Sequence, residues 1–96
     1  MAKAELIWRH STHVRTPEGI LYAAQTYAAP QSDGIWAGWL EFTPVIGEGP
    51  VLRTERETTQ PSKDAVLYWA TGIEPVYLQG AFERRAHVTT SNVPHR

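Results

Sequence analysis

The sequence predicts an α+β domain: an antiparallel sheet with chain order β-β-β-α-β, covered by one helix to make a two-layer sandwich. Three observations carry this. Two β-rich runs, Ile20–Ala29 and Ile35–Thr43, are separated by the turn-forming stretch Pro30–Gly34. A helix entry, an apolar stripe and a glycine exit follow one another between Thr59 and Gly72. Beyond Pro75, the run Val76–Phe82 alternates again in the manner of a strand. The organisation expected is an N-terminal arm over residues 1–19, a single domain over 20–86 and a flexible tail over 87–96.

In the arm, Leu6, Ile7 and Trp8 form a small apolar cluster, followed by a polar stretch ending in the turn signal Thr16-Pro17-Glu18-Gly19. His10 and His13 stand three apart with no third ligand at a metal-binding spacing, so they read as surface residues. Ile20–Ala29 alternates Leu21, Ala23, Gln25 and Tyr27 against Ile20, Tyr22, Ala24 and Thr26. Asp33-Gly34 supplies residues that tolerate positive φ at the hairpin. In Ile35–Thr43, Trp36, Leu40 and Phe42 share one face, where Trp36 and Phe42 are expected as principal core residues, and Trp39 and Glu41 share the other. A third strand is read over Val51–Glu57.

For the helix, Thr59 is the expected N-cap, Pro61 lies in the first turn, and Asp64 favours the positive end of the helix dipole. Val66, Trp69, Ala70 and Ile73 fall on one face, with Trp69 at the centre of the contact with the sheet. Gly72 is read as a left-handed stop and Pro75 as a bar to resumption. The last strand, Val76–Phe82, lacks any charge or proline, and as a sheet edge it invites pairing with a second copy.

Nine Lys and Arg against ten Asp and Glu give a formal net charge of −1. That balance argues against a generic phosphate-binding surface. The charge is uneven: residues 30–74 hold three basic and seven acidic groups, while the ends are positive, making Arg9, Arg15, Arg84 and Arg85 the nucleic-acid candidates. No cysteine is present, which rules out disulfides, thiolate metal sites and thiol nucleophiles. No apolar run is long enough to span a membrane as a helix and no export signal is legible, so a cytoplasmic, bacterial-type protein is expected. No phosphate-cradling glycine loop, nucleophile elbow or metal-protease motif occurs, and neither cofactor nor metal is implied.

The chemistry-bearing candidates are few. Glu41, Glu55 and Glu57 sit on neighbouring strands and would act as acid–base or metal-binding carboxylates if they converged; paired with Arg53 and Arg56 they are a solvated face. Tyr27 and Trp39 are candidates for the face of the sheet that the helix leaves open, and Tyr77 and Gln79 for the exposed edge. The strand order, the hairpin at Ser32-Asp33-Gly34 and the Thr59-led helix together resemble the partial RNase H-like fold of HicB-type antitoxins over about Ile20–Phe82. That resemblance implies toxin binding or nucleic-acid binding. The family's helix start, Thr-x-x-Glu-Ala, stands here as Thr59-Gln60-Pro61-Ser62-Lys63-Asp64-Ala65. Three functions stay open: a non-catalytic module that forms a homodimer or engages a protein partner, a HicB-like binder, and a small glutamate- or metal-dependent hydrolase.

Overall fold

One long hairpin organises the sheet. In the computed structural model, which describes the backbone of residues 3–91 and the side chains of residues 3–85, strand β3 (Leu21–Pro30) pairs antiparallel with β4 (Trp36–Pro44), from Tyr22 opposite Pro44 to Pro30 opposite Trp36. The turn between them is fixed as its composition predicts. Gly34 takes a φ of 88°, and the Asp33 carboxylate accepts a hydrogen bond from the Ile35 N–H at 3.3 Å.

Both outer ladders are interrupted. On one side, β1 (Glu5–Arg9) and β2 (Val14–Arg15) pair with successive parts of β3, with a bulge between Leu6 and Trp8. On the other, β5 (Leu52–Arg53) and β6 (Thr58–Gln60) pair with successive parts of β4. The arm expected over residues 1–19 thus contributes two strands, and the single strand read over Val51–Glu57 is a strand only at Leu52–Arg53, followed by a detour at Thr54–Glu57 that leads into β6. Thr54 holds that detour in register. Its N–H donates to the Leu40 carbonyl at 2.9 Å and its hydroxyl accepts from the Leu40 N–H at 3.0 Å, so a side chain replaces one rung of the ladder. Bulged, broken edges of this kind offer little template for sheet extension.

Helix α1 (Lys63–Thr71) forms where the apolar spacing places it, with a different entrance. The N-cap is Ser62, whose hydroxyl accepts from the Ala65 N–H at 3.1 Å, and not Thr59, because Thr58–Gln60 pair with Gly38–Trp36 of β4. Gly72 closes α1 in a right-handed conformation, φ −94°, where a left-handed one was expected; its N–H reaches back to the Ala70 and Trp69 carbonyls. Val66 and Ala70 are the buried residues of the stripe, while Trp69 is half-buried with its ring edge-on to Tyr77 and Ile73 is half-buried. Trp69 is therefore at the margin of the contact.

The largest departure follows. Val76–Phe82 is not a strand; it lies within a second helix, α2 (Pro75–Ser91), so among the described residues the element order is six strands followed by two helices. Pro75 opens this helix at the position where its missing N–H costs nothing. Residues 87–91, read from sequence as tail, continue α2, and residues 92–96, including His95, lie outside the described residues.

Both helices pack on the same face of the sheet. Leu78, Ala81 and Phe82 of α2 close a core with Val14, Ala24, Leu40 and Phe42, and Val66 of α1 approaches Gly38. The rings of Phe42 and Phe82 meet edge-on at 5.3 Å and Tyr22 lies 5.0 Å from Phe82. Each fully buried side chain of this size stabilises by about 1.5–3 kcal/mol. Of the two residues expected to lead this core, Phe42 is fully buried and Trp36, near the β6 edge, is only half-buried. The result is a small α+β domain, and no helix among the described residues is long and apolar enough to cross a membrane.

Candidate functional site

The strand register decides which candidates share a face. Tyr27 lies directly opposite Trp39, and Leu6 of β1 lies opposite Tyr27, so all three stand on the face away from the helices. The next row on that face runs Arg9, Gln25, Glu41, Arg53 across four strands. Trp39 is only 7% exposed. The Arg53 guanidinium lies 4.5 Å above its ring, and its indole N–H donates to the Glu41 carboxylate at 3.0 Å.

The three glutamates do not converge. Glu41 is held by Trp39, with the Arg53 Nε 3.8 Å away. Glu55 is exposed on the detour. Glu57 turns to α2, accepting the phenol proton of Tyr77 in a hydrogen bond and pairing with Arg84 at 3.5 Å. Burial, reinforced by the hydrogen bond and the charge of Glu57, pushes the Tyr77 phenol up to about 12, so it stays protonated as the donor. Among the described residues no group of three or more His, Cys, Asp and Glu is placed to hold a metal. His10 hydrogen-bonds the fully buried Thr26 hydroxyl at 2.7 Å, and burial lowers its pKa; His13 is exposed.

Gln79 has a structural post that sequence reasoning missed. Its amide accepts from the Arg15 N–H at 3.2 Å and donates to the Arg15 carbonyl at 3.0 Å, as a neighbouring strand would. The edge that was expected at Val76–Phe82 is thus replaced by a helix whose glutamine seals part of β2. Only the position of Gln79 beside β2 gives this away, and that position is set by tertiary packing.

The arginines divide between the two sides of the molecule. Arg9 and Arg15 lie on β1 and β2, which both pair with β3, whereas Arg84 and Arg85 lie on α2 beside the Thr54–Glu57 detour, where Arg85 lines a groove with Arg53 and Arg56. The joining of Arg53 and Arg56 to Arg85 has no local sequence signal, since it depends on α2 running past the detour. No family model, curated protein or solved structure matches the chain.

Proposed function

We propose that the chain is a non-catalytic interaction module that acts in the cytoplasm and associates with a second copy of itself through the open face of the sheet. The observation that carries this is the row of Leu6, Tyr27 and Trp39 on the face opposite the one where Leu78, Ala81 and Phe82 pack, with Leu6 39% exposed. The charged row Arg9, Gln25, Glu41, Arg53 beside it supplies donors and acceptors around an aromatic centre, the usual make-up of a recognition surface. The two broken edges support the choice of face over edge as the contact. The glutamates favour no hydrolase, since Glu41 and Glu57 are each committed to a different partner. A HicB-like role stands second: Arg84 and Arg85 on one helix surface favour contact with an anionic partner.

Sedimentation velocity at micromolar concentration tests the first reading. A dimer is expected, returning to monomer in Tyr27→Lys with the melting temperature little changed. A wild-type monomer across that range overturns self-association.

A further inference from the structure

Between α2 and the Thr54–Glu57 detour runs a groove of about 650 Å³, its walls including Trp39, Arg53, Thr54, Glu55, Arg56 and Arg85. A smaller cavity of about 330 Å³ shares Thr54, Glu55 and Arg85 with it and adds Arg84 and Glu57. Three arginines and one glutamate thus line the larger space. We propose that this groove binds a compact dianion of phosphate chemistry, a phosphate monoester or free phosphate, held by Arg53, Arg56 and Arg85.

Four features lead there. The Arg85 Nε is the one buried side-chain nitrogen or oxygen without a hydrogen-bond partner among the described residues. A buried ionised donor left unmatched is costly, and a bound anion would satisfy it. Arg56 takes part in no ion pair among the described residues, and the 3.8 Å from the Arg53 Nε to Glu41 is too long for a hydrogen bond, so both forks have donors to offer. The three arginines are carried by a strand, a detour and a helix, so one ligand with three terminal oxygens, a phosphate, gives each a partner where a carboxylate has only two. The volume falls in the range of small-ligand sites. A long phosphodiester track fits less well, because Arg9 and Arg15 lie on the opposite ladder and the chain is net negative.

The proposal goes beyond self-association and can fail separately from it, although Trp39 and Arg53 belong to both surfaces. The test is a titration of the isotope-labelled full chain with inorganic phosphate, followed by NMR at backbone amides and arginine Nε–H groups. Sodium chloride at matched ionic strength is the control, and a short single-stranded oligonucleotide is the comparison. Saturable shifts confined to Arg53–Glu57 and Arg85 are expected with phosphate and not with chloride. Arg56→Gln, at an exposed position, and Arg85→Gln should each weaken binding by about tenfold or more while the fold is retained. Shifts reproduced by chloride, no saturation, or unchanged affinity in both variants overturns the site. Binding of the oligonucleotide without binding of phosphate overturns it in favour of a nucleic-acid surface.

Discussion

The covered and the open face of the sheet are made by the same two strands and are filled in opposite ways. On the covered face small residues, Ala24, Thr26, Ala28 and Gly38, let the helices approach, and Leu40 and Phe42 meet the apolar side chains that α2 brings. Burial there exists only because the helices are docked. On the open face Trp39 is shielded laterally by its own strand neighbours, through Arg53 and Glu41. The first face is cooperative with the rest of the fold; the second is largely self-contained. Substitutions should therefore be costly on one and mild on the other.

The most severe break is expected from Phe82→Ala. It removes the ring that touches both Phe42 and Tyr22, and denaturant unfolding should show a loss of about 3–5 kcal/mol. That is a large part of the stability of a domain this size. A loss below 1 kcal/mol, on the order of a surface change, would mean that α2 is not docked as described. Gly38→Ala probes the same face by overfilling it. A Cβ there would lie 3.0 Å from a Thr58 methyl and 3.1 Å from a Val66 methyl, both on stiff β-branched side chains. A destabilisation of about 1–3 kcal/mol is expected, with the melting temperature as the measure.

Arg53→Ala tests the open face. Its side chain is 59% exposed and its contacts are a cation–π stack and a long ion pair, so a loss of about 0.5–1 kcal/mol in the same denaturation assay is expected. A loss matching Phe82→Ala would erase the contrast between the faces. The smallest effect concerns pH. His10 has its pKa lowered by burial against Thr26, so the unfolded chain takes up its proton first. Its contribution is full above pH of about 6.5, the ordinary histidine value, and is lost as pH falls through the lower, folded value. His10→Gln should flatten that part of the stability–pH curve; an unchanged slope would place the titration elsewhere.

How much of this was legible in the sequence varies by element. The β3–β4 hairpin was, nearly to the residue, because local alternation and the Asp33-Gly34 turn agree with the tertiary pairing. The apolar face of α1 was legible, but its start was not: Thr59 and Pro61 look like a helix entrance, and the pairing of Thr59 with Ala37 overrides them. The misread of Val76–Phe82 has a simple cause. Leu78 and Phe82 stand four apart, a spacing that fits one face of a strand and one face of a helix alike. Ala81 breaks the tie, being as buried as both of them, where a strand would turn it to the opposite face. Of the site, the Tyr27–Trp39 pair followed from alternation alone, whereas the gathering of Arg53, Arg56 and Arg85 required knowing the course of α2.

The chain order has a consequence for synthesis. Every strand precedes residue 61, while the side chains that roof the core, Leu78, Ala81 and Phe82, come about twenty residues later. At ribosomal rates of about 5–20 residues per second, these side chains are added roughly one to four seconds after the last strand residue, and until then Leu40 and Phe42 have no cover. During that interval the broken outer ladders, with the bulge at Leu6–Trp8 and the detour at Thr54–Glu57, are what keep one nascent sheet from joining another. The irregular edges thus guard the unfinished protein as well as the finished one.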